Sequence, residues 1–376
     1  MKYFNLDEYL NILEKLVNID SNSFDKEGVD RVADILEKLY GELDVEVNRY
    51  RFDDRAGSCL EIRNHPESEG IDVMMVGHMD TVLPTGSVLE RPFSCDSKIA
   101  HGPGVCDMKS GLLNIYYIFK ELVSENTPLK LCVAINSDEE ISSMYSNEWI
   151  RSLGKKSKYG LVFEAGRRNG AGVKERKGMG RFLIEFHGKY AHAGVNPQEG
   201  ASAIHEMAYW ITTLVSLNDY EKGTTVNIGT VNGGIGANVV AERAQFQLDI
   251  RYDDINEYEK IVKTLKKLHD KPFIQGVSSK ITDLGFKPPM LGDDITEKFI
   301  ELMNRKGKNC GLNMRWVKTG GCSDGNYMAY EGCHVLDGLG PIGDGAHGDK
   351  EIMVVDSIKP RIEMVYQALK ELEKEM

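Results

Sequence analysis

A chain of 376 residues is long enough for two domains, and its 41 % hydrophobic and 28 % charged residues are those of an ordinary globular protein. The net charge of -12 argues against nucleic acid or an anionic membrane as the partner, and no stretch approaches the roughly 18 apolar residues of a membrane helix. Seven scattered cysteines without a C-x-x-C pair read as free thiols; with no apolar signal-peptide core in residues 1–8, a cytoplasmic location is expected.

The first 160 or so residues alternate helix and strand signals. Residues 6–17 and 28–43 read as helices, and residues 74–77 close a buried strand. Residues 109–125 read as a mostly apolar helix, and 129–136 as the next strand. This alternation predicts an α/β fold with a mainly parallel sheet flanked by helices. The middle differs. Residues 181–187 form a predicted strand, 199–217 a helix and 224–231 a strand, followed by a glycine-rich turn at 232–236. Ala244, Phe246, Leu248 and Ile250 alternate with polar residues, the mark of a half-buried strand. An amphipathic helix over 255–268 and a strand near 273–281 complete a split β-α-β-β-α-β order. Beyond about Pro288 the α/β alternation resumes, with a helix at 297–305, strands at 314–318 and 335–339, and a last helix at 357–374. The predicted organisation is a large domain of residues 1–177 and 289–376, with a small α+β domain of residues 178–288 inserted into it. Glycines Gly178 and Gly180 and prolines Pro288 and Pro289 mark the two crossings as hinges.

Within this organisation a set of hard-oxygen and imidazole side chains stands out. His78 and Asp80 follow the apolar run 71–77; Glu139 and Glu140 follow 129–136; Glu164 follows 160–163; Asp107 and His347 lie in glycine-rich loops. In open α/β sheets ligands bind at the carboxyl ends of strands. Two histidines with four or five carboxylates suit zinc, yet are too many for one tetrahedral ion. A metal pair sharing a carboxylate fits the count better. Taken singly, each residue has a plain structural reading: His-x-Asp is usually a hydrogen-bonded pair, and Glu139–Glu140 a solvated helix start. The convergence of all of them favours the metal.

The segments 77–82 (GHMDTV), 102–111 (GPGVCDMKSG), 136–140 (NSDEE) and 343–348 (GDGAHG) resemble, in order, the co-catalytic zinc aminoacyl hydrolase family, which includes glutamate carboxypeptidase, aminoacylase, acetylornithine deacetylase and succinyl-diaminopimelate desuccinylase. The resemblance implies two zinc ions per chain, with cobalt or manganese as substitutes. Asp107 would bridge them, His78 and Glu164 would complete one site, and Glu140 and His347 the other. Glu139 would be the general base, and Asp80 would orient His78. The 188–194 segment (GKYAHAG) resembles the one whose histidine, here His192, stabilises the oxyanion, often across a dimer. Asn238 and Arg251 match substrate-binding positions, and Gly321 lies in a loop like the one lining the pocket. Ser110 departs from the glycine of many relatives. The implied enzyme is a zinc-dependent metallopeptidase or amidohydrolase cleaving a small carboxylate-bearing peptide or N-acyl amino acid. It resembles glutamate carboxypeptidase most. The alternatives are a deacylase, a dipeptidase or tripeptidase, and a catalytically silent binding protein. A homodimer through the inserted domain is expected.

Overall fold

The computed structural model describes residues 1–374. The chain separates into two compact units. The first comprises Met1–Arg176, Met290–Thr319 and the chain from Ser323 onward; the second comprises Lys177–Pro289 with Gly320–Cys322. The crossings therefore fall at residues 176/177 and 289/290. Gly320–Cys322, expected with the large domain, clusters with the small one.

The first unit is built on a six-stranded sheet. Its strands run in the order Glu46–Tyr50, Cys59–Arg63, Leu131–Asn136, Ile71–His78, Ser157–Val162 and His334–Leu336. The last four are mutually parallel, while Cys59–Arg63 runs antiparallel to Leu131–Asn136 and Glu46–Tyr50 antiparallel to Cys59–Arg63. Strands Leu131–Asn136 and Ile71–His78 are buried along almost their whole length, as expected for central parallel strands covered on both faces. One face packs on helices Leu6–Val17, Lys26–Gly41, Ser110–Ser124, Asp294–Asn309 and Ile358–Leu372, with Tyr9, Tyr116, Phe119 and Phe163 in its core. The other packs on Asn147–Gly154 and Gly325–Tyr330 through Ile150, Tyr327 and Met328. The edge strand Glu46–Tyr50 escaped the sequence reading because it is short, largely polar and nowhere fully buried; the sequence reading missed its buried neighbour Cys59–Arg63 as well.

The second unit holds a four-stranded antiparallel sheet ordered Thr225–Gly233, Arg243–Tyr252, Gly178–His187, Ser278–Lys287. Helices Ala203–Val215 and Ile255–Asp270 cover it through a core of Phe186, Trp210, Phe246, Ile250 and Leu265. The last strand starts five residues later than predicted. Phe273 and Ile274 look strand-like, but their N–H groups donate to the Glu206 carboxylate at 3.1 and 2.7 Å instead of entering a ladder. Phe273 stacks on Tyr209 with ring centroids 4.8 Å apart. Among the described residues no helix is long and apolar enough to cross a membrane.

Candidate active site

Neighbouring strands of a sheet lie about 4.8 Å apart. The strands ending at Asn136, His78 and Val162 are consecutive and parallel, so the segments that leave their carboxyl ends emerge side by side. His78 ends its strand and is 2 % exposed, Asp80 follows it fully buried, and Glu164 lies two residues past Val162. Glu139 and Glu140 open a short turn, Glu139–Ile141, three residues beyond Asn136. Sheet order alone thus gathers five of the predicted site residues.

Asp107 and His347 arrive by a second route. A small sheet orders Gly343–Asp344, Ile352–Val354, Ile99–His101 and Ser94–Cys95. The chain leaving Ile99–His101 turns through 102–109, and Gly104 at φ 73° makes that turn in a conformation only glycine adopts freely. His347 lies in the loop between Gly343–Asp344 and Ile352–Val354. Pairing of these short strands brings the two loops together.

The resulting distances are specific. His78 Nε2 is 3.4 Å from Asp107 Oδ1 and 3.6 Å from Glu164 Oε1. His347 Nε2 is 3.1 Å from Asp107 Oδ2 and 3.2 Å from Glu140 Oε2. Asp107 therefore turns one oxygen to each histidine. Among the described residues, two groups could hold a metal ion: His78 with Asp107 and Glu140, and His78 with Glu139 and Glu164. Ligand atoms about 2.0–2.2 Å from a tetrahedral ion stand roughly 3.3–3.6 Å from one another. The His78 separations fall in that range and those of His347 lie just under it, and the imidazole and carboxylate donors suit zinc and similar divalent ions.

The electrostatics point the same way. Burial pushes the His78 imidazole down, but Asp107, Asp80 and Glu164 outweigh it and hold it well above its ordinary range. Hydrogen bonds to Asp107 and Glu140 push His347 up to about 11. Burial raises Asp107, yet His347 and His78 hold it far below the carboxylate range. Burial, then the charge of Asp107, pushes Glu140 up to about 7 and Glu164 well above normal. Carboxylates packed this closely repel one another, and a divalent cation among them relieves the repulsion.

Asp80 organises the site from beneath. The His78 ring Nδ1 lies 2.9 Å from the Asp80 carbonyl and 3.3 Å from its carboxylate. The N–H groups of Glu139 and Glu140 each donate to Asp80 at 3.1 Å, and Ser23 Oγ donates to it at 2.6 Å. One carboxylate so fixes both the imidazole and the glutamate pair. The far side of that turn is held by Asp138, which accepts from Ser146 Oγ at 2.5 Å and the Tyr145 N–H at 2.7 Å. Tyr327 also donates to the Ser142 carbonyl at 2.9 Å.

Glu351 was not anticipated. It is 3 % exposed, and its carboxylate accepts the N–H groups of Gly104 and Cys106 at 2.8 Å and of Asp107 at 3.0 Å. It sits four residues past His347, so it ties the His347 loop to the Asp107 turn. Nothing in a single sequence marks a glutamate whose partners are all backbone.

The remaining predicted residues lie in the second unit. The two-residue strands Ala191–His192 and Val239–Val240 pair, and the Ala193 N–H donates to the Asn238 carbonyl at 2.9 Å. That ladder places His192 and Asn238 next to each other, both exposed. Arg251 grips Asp249 through Nε–Oδ1 at 2.7 Å and Nη2–Oδ2 at 3.0 Å. Its Nη1 donates to the Gly320 carbonyl at 3.3 Å, beside Gly321. The fork that was to take a substrate carboxylate thus already holds one from the protein.

The sheet, the metal-spaced cluster and the carboxylate set define a metallohydrolase of the peptidase and amidohydrolase kind. Residues 174–277 match the model of a peptidase dimerisation domain. The chain is 26 % identical to Carboxypeptidase G2 of Pseudomonas sp. (strain RS-16) over 372 residues, covering 96 % of this chain and 88 % of that protein. It is 27 % identical to the succinyl-diaminopimelate desuccinylase of Dechloromonas aromatica, covering 79 % and 82 % of the two chains. The crystal structure of an M20 family metallo-carboxypeptidase, Sso-CP2 from Sulfolobus solfataricus, shares the fold with a TM-score of 0.77 at 18 % identity, covering 97 % and 99 %. Residues 174–277 thus carry a peptidase dimerisation domain, and the chain as a whole is similar to peptidases and amidohydrolases of the M20 kind.

Proposed function

We propose that the protein is a two-zinc amide hydrolase acting as a glutamate carboxypeptidase-like exopeptidase on small substrates with a free carboxylate. The observation that carries this reading is Asp107, which offers Oδ1 to His78 and Oδ2 to His347. A carboxylate so divided suits two ions. His78 and Glu164 would complete one site, and Glu140 and His347 the other. Bound there, zinc, or cobalt or manganese in its place, would acidify a water and polarise the scissile carbonyl.

The chain's own residues supply the rest. Glu139 accepts the proton of the attacking water and returns it to the leaving nitrogen. It is separated from Glu140 because Asp80 clamps both N–H groups while the Glu140 carboxylate faces His347. Asp80 holds the His78 ring in the orientation a ligand needs. We assign His192 to the developing oxyanion, and Asn238, Arg251 and Gly321 to substrate binding. The dimerisation domain supports a homodimer.

Likeness to a carboxypeptidase along nearly the whole chain favours the exopeptidase. Likeness to a desuccinylase supports a second reading, an N-acyl amino acid deacylase. Hydrolysis of a panel of C-terminal glutamyl peptides, dipeptides and N-acyl amino acids decides between them. The first reading expects the glutamyl substrates to lead in kcat/KM; a panel led by succinylated or acetylated amines replaces it with the second.

A further inference from the structure

Several cations among the described residues of the first unit lie buried or half-buried near the candidate site with partners; Arg91, for one, donates Nη1 to the Gly348 carbonyl at 3.0 Å. Arg176 donates Nε to Asp337 at 2.6 Å. Arg361, fully buried, donates to the carbonyls of Gly338, Gly340 and Gly170. Lys109 donates Nζ to the Ile19 carbonyl at 2.8 Å. Arg167 differs. It is half-buried, and among the described residues its guanidinium makes no hydrogen bond and no ion pair.

Its position is nevertheless fixed. Arg167 stands three residues beyond Glu164, in a turn where its N–H donates to the Ala171 carbonyl at 3.0 Å and its carbonyl accepts from Gly170 at 2.6 Å. The preceding Gly166 is tied to the chain leading to His347, donating to the Pro341 carbonyl at 2.9 Å and accepting from Gly343 at 3.1 Å. Burial, then the charge of Arg176, holds the guanidinium below its usual range, while Asp337, Glu164 and Asp107 draw it back up. Arg167 thus lies in the field of two of the proposed metal ligands without being the counter-ion of either. None of its nitrogens is among the buried side-chain atoms left without a partner, so the fork stays reachable from solvent. An unpaired, solvent-reachable guanidinium three residues from Glu164 is open to an anion from outside the chain.

We propose that Arg167 is the specificity-determining residue that binds the α-carboxylate of the leaving amino acid, an inference resting on the amide-hydrolase reading above. The scissile carbonyl carbon and the α-carboxylate carbon of a C-terminal residue are three bonds apart, about 3–4 Å. The group that reads this carboxylate must therefore stand beside the metal cluster. Arg167 stands three residues beyond Glu164 and in the field of Glu164 and Asp107, and its planar fork matches a carboxylate with two parallel hydrogen bonds. Arg251, whose Nε and Nη2 are bound to Asp249, is left a lesser part in this recognition.

The test compares zinc-loaded wild type with Arg167→Ala, Arg167→Gln and Arg167→Lys on an N-acyl glutamate and its α-amide, with metal content and melting temperature measured for each. Arg167→Ala should lower kcat/KM on the acid by about 10- to 100-fold, mostly through KM, and change the amide less than about threefold. Arg167→Lys should recover part of the loss, because it keeps the charge but not the fork. Equal losses on acid and amide, or none on either, overturn the proposal. If wild type cleaves neither compound, the hydrolase reading falls for this substrate class, and calorimetric binding of the same pair decides the inference by itself. Preference for the acid that vanishes in Arg167→Ala upholds it; an unchanged preference ends it.

Discussion

Replacing Glu351 should show how far the loop carrying His347 holds the Asp107 turn in place. Its carboxylate receives three backbone N–H groups at 2.8–3.0 Å in a buried setting. Leaving a buried donor without an acceptor costs about 1–3 kcal/mol. Glu351→Ala strands three, so the expected loss is about 3–9 kcal/mol, a large part of the roughly 5–15 kcal/mol that keeps a domain folded. Glu351→Gln is milder. An amide oxygen in the place of Oε1 still serves Cys106 and Asp107, while the new NH₂ group faces the Gly104 N–H; the expected loss is about 1–3 kcal/mol. The assay is urea unfolding of chelator-treated protein, followed by zinc titration of each variant. Both variants should bind zinc more weakly than wild type, alanine more so. A Glu351→Ala cost below about 1 kcal/mol, or a glutamine variant as damaged as the alanine, would refute the reasoning.

Glu139→Gln should keep its metals and lose turnover by about 10²–10⁴-fold, whereas Glu140→Gln should lose metal first; elemental analysis beside kinetics separates the two. His192→Ala should lower turnover with metal content intact, and unchanged kinetics would remove it from the mechanism. Asp138 tests the pH dependence. Burial pushes its carboxyl up to about 7 from an ordinary value near 4. Between those values the folded state binds the proton more tightly than the unfolded one, so stability falls as pH rises. Relative to Asp138→Asn, chelated wild type should lose up to about 4 kcal/mol from pH 4 to pH 8 in urea unfolding; a parallel pair of profiles would exclude the effect. Light scattering should give twice the 42.1 kDa chain mass if the dimerisation domain pairs.

Much of this site was legible because the sheet announces it. His78, Asp80, Glu139, Glu140 and Glu164 each come directly after an apolar run, and parallel strands deliver the residues at their carboxyl ends to one edge. Asp107 and His347 sit in loops with no such run; their ligand chemistry brought them into the set, and the family resemblance gave them their roles. Glu351 and Arg167 stayed hidden for another reason. Glu351 works through backbone N–H groups, which carry no residue code, and Arg167 is defined by a partner it lacks. The Phe273–Ile274 misreading has the same root: both residues are apolar, but Phe273 is exposed, Ile274 is only partly buried, and their N–H groups go to Glu206.

The two-metal claim is tested most directly by restoring zinc to exhaustively chelated protein while monitoring hydrolysis of an N-acyl glutamate. Activity should be absent in the metal-free protein and should reach its plateau at two ions per chain. Hydrolysis that persists without metal, or a plateau at one ion, would contradict the shared role given to Asp107.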